Sequence, residues 1–103
     1  MYRIEFLSAA ERYFKKLRDK NLVDAFKMAV EKLSEDPYIG KAKRGDLSSV
    51  YGYDFRHAGA TYEIAYKIYE DNEELVVIIL AGTRENFYEA LKLYIKTTQK
   101  SLK

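Results

Sequence analysis

The stretch Tyr51-Gly52-Tyr53-Asp54-Phe55-Arg56-His57-Ala58-Gly59-Ala60-Thr61-Tyr62-Glu63-Ile64-Ala65-Tyr66-Lys67-Ile68 decides the fold. Successive side chains on a strand point to opposite faces, so Tyr51, Tyr53 and Phe55 share one face while Gly52, Asp54 and Arg56 share the other. Ala58-Gly59 offers a turn, and beyond it Tyr62, Ile64, Tyr66 and Ile68 alternate with Thr61, Glu63, Ala65 and Lys67. This predicts an antiparallel hairpin with an aromatic inner face. With the turn at Ala58-Gly59, Arg56 opposes Thr61 and Asp54 opposes Glu63. Two carboxylates directly opposite repel, and a neighbouring cation such as Arg56 or Lys67 would relieve them. The outer face therefore carries either a plain surface charge cluster or a carboxylate acid/base pair.

The elements on either side follow from the same periodicities. After Asp71-Asn72-Glu73-Glu74, a turn, the continuous run Leu75 to Ala81 suits a central strand buried on both faces. Gly82-Thr83 leads into a last helix with Phe87, Leu91, Tyr94 and Ile95 inward. At the start of the chain, Tyr2, Ile4 and Phe6 alternate with Arg3 and Glu5 as a half-buried strand. Ser8-Ala9-Ala10-Glu11 then spells a capping box. Ala9, Ala10, Tyr13, Phe14 and Leu17 form an apolar stripe that breaks at Asp19-Lys20-Asn21. Leu22, Ala25, Phe26, Ala29, Val30 and Leu33 rebuild it until Asp36-Pro37, because the residue before proline disfavours helix. Two antiparallel helices are expected there, and Tyr38 to Ser49 reads as a basic connecting loop. The order is β-α-α-β-β-β-α, an α+β fold in a single domain spanning residues 1–103.

Composition agrees with one core. The 103 residues are 48% hydrophobic and 33% charged, with five glycines and one proline, which describes a single globular domain rather than a disordered or fibrous chain. The absence of cysteine excludes disulfides and thiolate metal sites, and His57 has no second histidine to join it in a ligand set. No metal and no cofactor are expected. The longest apolar run is far short of the roughly 20 residues that span a membrane, and Met1 to Glu5 lacks a signal peptide's apolar region, so the expectation is a cytoplasmic protein without a membrane partner. The net charge of +2 hides segregation: Lys41, Lys43 and Arg44 form one basic block, and Lys92, Lys96, Lys100 and Lys103 form another. Such blocks suit a phosphate backbone or an acidic protein segment, and each alone is equally an ordinary solvated face.

Gly82-Thr83-Arg84-Glu85-Asn86-Phe87-Tyr88 lies where a central strand ends and a helix begins. Backbone N–H groups at a helix start, with an arginine that keeps its charge, are what a phosphate or a developing phosphorane needs. Tyr88 is expected near Arg84 by the i, i+4 relation. It would pack, stack on a base or move a proton. His57, beside the turn, is a candidate acid or base or a plain turn residue.

In order and spacing, these pieces resemble the RelE/ParE family of bacterial type II toxin-antitoxin toxins. The pieces are Tyr2-Arg3-Ile4-Glu5-Phe6 with Ser8-Ala9-Ala10-Glu11, Asp36-Pro37-Tyr38, Arg44-Gly45-Asp46-Leu47, Tyr62-Glu63-Ile64-Ala65-Tyr66 and the segment from Gly82 to Tyr88. The resemblance covers nearly the whole chain. It implies a curved, largely antiparallel sheet with a two-helix hairpin packed on one face, an active groove on the sheet, and a cognate antitoxin that wraps round the toxin.

The resemblance also implies one of two activities. RelE-like members cut mRNA on the ribosome, the ribose 2′-hydroxyl attacking the adjacent phosphate without a metal, and so block translation. ParE-like members inhibit DNA gyrase and catalyse nothing, and a relative that has lost toxicity is a third possibility. For the RNase, Arg84 falls on the family's phosphate-stabilising arginine, Tyr88 near its late tyrosine and Arg56 on a basic position of the second strand. Lys41, Lys43, Arg44, His57 and Lys92 would meet RNA or ribosome. Two positions depart from the RelE-like pattern: Glu63 stands where many members have arginine, and Thr83 where many have histidine. Glu63 is then a candidate general base.

Overall fold

The computed structural model describes residues 1–43, 49–85 and 87–101. Arg44 to Leu47, Asn86 and Lys103, singled out above, lie outside the described residues, as does the Lys100 side chain. The elements are β1 (Arg3–Phe6), α1 (Ser8–Lys16), α2 (Lys20–Glu35), a short 3-10 turn (Pro37–Ile39), β2 (Lys41–Ala42), β3 (Tyr51–His57), β4 (Ala60–Tyr69), β5 (Leu75–Thr83) and α3 (Phe87–Ser101). The sheet order is β1-β5-β4-β3-β2, with β1 parallel to β5 and the other pairs antiparallel. The α+β order expected from sequence is present with one addition. Part of the segment read as a loop forms the 3-10 turn and β2, a two-residue strand pairing Lys41 with Gly52 and Ala42 with Tyr51.

The hairpin takes the register that alternation requires: Asp54 faces Glu63, and Arg56 faces Thr61. Ala58 and Gly59 both have positive φ, 50° and 83°, the requirement of the tight turn whose twist matches the flanking strands. The aromatic inner faces of β3 and β4 meet the helices. Phe26 of α2 is the hub, packing edge-to-face on Phe14 at 5.2 Å, Phe55 at 4.9 Å and Tyr62 at 5.7 Å between ring centroids. Such pairs add about 0.5–1.5 kcal/mol beyond the area they bury.

As its uninterrupted apolar run suggests, β5 is covered on both faces. Val76, Ile78 and Ala81 join the core under α1 and α2. Ile79 joins a second cluster with Val50, Ala65, Phe87 and Leu91, which seats α3 on the opposite face. The change of parity between Ile78 and Ala81 comes from a bulge: Tyr66 pairs with Ile78 but Ala65 with Leu80, so Ile79 is an extra residue on β5. A bulge bends its strand and re-aims the side chains beyond it. Here it sets Gly82 opposite Glu63 and Thr83 opposite Tyr62, at the end of β5 that carries Arg84.

The expected capping box does not form. Leu7 occupies the N-cap of α1 and no side chain caps it, and the Glu11 N–H that Ser8 would have capped already donates to the Leu7 carbonyl at 3.0 Å. At the start of α2, Asp19 does cap, accepting from the Asn21 and Leu22 N–H groups. No helix among the described residues is long and apolar enough to cross a membrane.

Candidate functional site

On the α3 side of the sheet, a groove of about 240 Å³ is lined by Lys41, Ala42, Lys43, Gly52, Asp54, Glu63, Arg84 and Tyr88. Its floor is the outer face of the hairpin. Gly52 and Asp54 reach it by alternation along β3, and Glu63 by pairing opposite Asp54. Its walls come from elsewhere in the chain: Lys41 and Lys43 from β2 and the residue after it, Arg84 from the end of β5, Tyr88 from the first turn of α3.

Glu63 is the one buried charged residue among the described residues, 5% exposed, and the Lys43 ammonium meets it at 2.6 Å. Gly52 makes the room. A Cβ there would stand 2.4 Å from Glu63 Oε2, closer than real side chains approach, and 3.0 Å from Lys43 Cε, a tight contact. Arg84 is fixed at its root, its N–H donating to the Thr61 carbonyl at 2.9 Å, and its guanidinium donates to Asp54 Oδ2 at 2.7 Å. The two opposed carboxylates are thus each neutralised from outside the hairpin, Glu63 by Lys43 and Asp54 by Arg84. This corrects the expectation that Arg56 or Lys67 would do so. Arg56 donates to Thr61 Oγ1 at 3.3 Å and, more weakly, to the Gly59 carbonyl at 3.5 Å, towards the hairpin tip.

Of the residues singled out from sequence, Arg84, Tyr88, Glu63, Lys41 and Lys43 line one groove. Tyr88 is 46% exposed there, and the Lys92 ammonium lies over its ring at 5.4 Å from the centroid. Arg56 stands beside the groove rather than in it. His57 alternates onto the opposite face of β3, pairing with Ala60. Arg44 is outside the described residues. Asp54 as the partner of Arg84, and Gly52 as the space that admits the Lys43–Glu63 pair, are what the sequence reading missed. Alternation already set both on the Glu63 face, but nothing local announces which distant cation reaches them. Among the described residues no group of three or more His, Cys, Asp or Glu could hold a metal ion.

A larger cleft of about 450 Å³ opens elsewhere, lined by Phe6, Phe14, Leu17, Val23, Phe26 and Val30 with Glu11, Lys15 and Lys27 among them. It contains none of the candidate site residues.

The profile of the family described as ParE-like toxin of type II bacterial toxin-antitoxin system matches residues 4–92. The chain belongs to this family. The toxin-antitoxin complex RelBE2 from Mycobacterium tuberculosis contains a chain 30% identical to it, with a TM-score of 0.62 over 81% of this chain and 98% of that one. The intact RelBE toxin-antitoxin complex of E. coli matches at 21% identity and TM-score 0.63, over 80% of this chain and 95% of that one. A doubly arginine-substituted E. coli toxin RelE in the free state matches at 23% identity and TM-score 0.65, over 88% and 95%. The last two likenesses show the fold, a RelE-like α+β architecture. Comparison with curated protein sequences gave no match. The chain is thus a RelE/ParE-like toxin, and its groove lies on the face of the toxin sheet that α3 borders.

Proposed function

We propose that this toxin is a ribosome-dependent mRNA endonuclease whose groove binds and cleaves a phosphodiester. The observation that carries the reading is the convergence of Arg84, Lys41, Lys43 and Tyr88 on one groove over Glu63. Three cations against two carboxylates leave the groove one net positive charge, which suits a phosphate, and an arginine fork suits the non-bridging oxygens.

In the proposed reaction the ribose 2′-oxygen bonds to phosphorus and the bond from phosphorus to the 5′-oxygen breaks. The 2′-hydroxyl loses its proton to a base and the leaving 5′-oxygen gains one. Arg84 stabilises charge on the phosphorane. Glu63 accepts the 2′ proton with Lys43 beside it, and the Tyr88 hydroxyl donates to the 5′-oxygen. Arg56 and Lys92 extend the cationic path beside the groove, His57 is a candidate contact on the opposite face of β3, and Arg44 is a further candidate contact. The proposed partners are mRNA on the ribosome and a cognate antitoxin. Two of the matching structures are toxin-antitoxin complexes, and the apolar cleft with Lys15 and Lys27 at its rim suits an acidic amphipathic segment.

Inducing the toxin alone, then Arg84→Ala and Glu63→Gln, tests the reading. Growth arrest by the wild type that both variants lose while still folding is expected. Arrest retained by Arg84→Ala contradicts it. The second reading, gyrase inhibition, is favoured by the ParE-like description of the matching family and by the neutralisation of two groove cations by carboxylates. It requires arrest with intact mRNA and loss of DNA supercoiling activity. Truncation of the tail from Lys92 would remove that activity, whereas Glu63→Gln would not.

A further inference from the structure

The two ion pairs of the groove are not equivalent. The Lys43 and Glu63 side chains are 19% and 7% exposed, whereas those of Arg84 and Asp54 are 64% and 39% exposed. The first is sealed under the open side of Gly52, and breaking it strands a buried charge. The second is open to water, where exchange of one anion for another costs little. Asp54 is also committed to Arg84 by the register. Its opposite residue, Glu63, holds Lys43, and the Arg84 root is tied to Thr61.

We propose that Asp54 sets the affinity of the groove for phosphodiesters, as a tethered anion that occupies the Arg84 guanidinium until a phosphodiester displaces it. A tethered carboxylate competes at a high effective concentration, so a lone phosphate meets an occupied arginine. A polynucleotide anchored at the same time by Lys41 carries the local concentration needed to exchange. Asp54 thereby weakens every phosphate on Arg84 by the same factor, and a strand that gains a further contact at Lys41 still binds. This rests on the reading of the groove as a phosphodiester site.

The test is anisotropy binding of a short, fluorescent, 2′-O-methylated single-stranded oligoribonucleotide, which cannot be cleaved, at constant low salt. The proteins are the full chain as wild type, Asp54→Asn, Glu85→Gln, Arg84→Ala and the Asp54→Asn/Arg84→Ala double variant. Each is checked for folding by its thermal melt, and Asp54→Ser substitutes should Asp54→Asn misfold. An exposed pair of this kind accounts for up to about fivefold in an equilibrium constant. Asp54→Asn is expected to bind about three- to fivefold tighter, with the gain vanishing on the Arg84→Ala background. Glu85→Gln removes the same charge beside Arg84, and is expected to gain clearly less. An equal gain in Glu85→Gln, no gain in Asp54→Asn, or a gain that survives Arg84→Ala overturns the tethered-anion role while leaving the phosphodiester site standing. Binding that Arg84→Ala leaves unchanged overturns the phosphodiester site itself, and the Asp54 role with it.

Discussion

Lys43 and Glu63, twenty positions apart in sequence, meet at 2.6 Å in the space left by the missing side chain of Gly52. The contact joins the segment after β2 to the centre of β4 and forms the floor of the candidate groove. It also separates two kinds of ion pair in this protein. Arg3 with Glu5 and Glu73 at 2.8 and 2.9 Å is more than half exposed and contributes little, about 0–1 kcal/mol.

Lys43→Met is therefore expected to cost about 3–5 kcal/mol of unfolding free energy, because it leaves the Glu63 carboxylate buried without a partner. Lys43→Met with Glu63→Leu is expected to recover most of that loss. Urea denaturation of the four proteins of the cycle measures both. Equal, small effects of the single and double substitutions would mean that the pair is not buried.

Gly52→Ala is expected to destabilise by about 1–3 kcal/mol, the range for forcing a methyl into filled space, and to weaken the proposed RNA cleavage by displacing Glu63. The Cβ falls 2.4 Å from Glu63 Oε2. A thermal melt and an activity assay on the same preparation check it.

At the far end of the sheet, Glu70 accepts hydrogen bonds from the Tyr2 hydroxyl and from the Tyr38 hydroxyl, the latter at 2.8 Å. Hydrogen bonding from Tyr2, then from Tyr38, holds the Glu70 carboxyl below its ordinary value of 4.5. A depressed folded-state pKa contributes stability above the unfolded value and loses it as pH falls through the folded one. The wild type is therefore expected to lose an advantage over Glu70→Gln as pH falls below about 4.5. The two tyrosines move the other way. Bonding to Glu70 raises both above 10.0, so their contribution is complete below pH 10 and fades as pH rises beyond it. Melting temperatures across both windows, with Tyr2→Phe and Glu70→Gln as references, read the two signs.

Ala58 holds φ at 50°, a left-handed conformation that an alanine adopts at a cost. Ala58→Asn places Asn-Gly in the hairpin turn, the preferred pair there, and is expected to stabilise by about 0.5–1 kcal/mol. The shift in denaturation midpoint at constant m-value measures it.

The hairpin was legible because a period of two is a local property, and once Ala58-Gly59 was read as the turn, Asp54 had to face Glu63. The two-sided burial of β5 was legible from the run Leu75 to Ala81. The bulge at Ile79 was not, since it depends on how β4 pairs with β5. The parallel pairing of β1 with β5 is equally invisible to periodicity, as is the start of α1 one residue early, where the Leu7 carbonyl takes the Glu11 N–H and leaves Ser8 no cap to make. In the groove, Arg84, Tyr88, Glu63, Lys41 and Lys43 were visible as residue types in charged or strand-end positions. Their partners were not. Lys43 reaches Glu63 across 20 residues and Arg84 reaches Asp54 across 30, and side-chain reach over such separations is set by topology.

The central claim is that the Arg84 groove cleaves translated RNA. The most direct measurement is to induce the toxin without its antitoxin and map new mRNA 5′ ends, with Arg84→Ala as the control. New ends at a fixed codon phase, reduced about 10²–10³-fold in the control as for the loss of one preorganised donor, are the expected result. Growth arrest with intact messages, or cleavage that Arg84→Ala leaves unchanged, would contradict it.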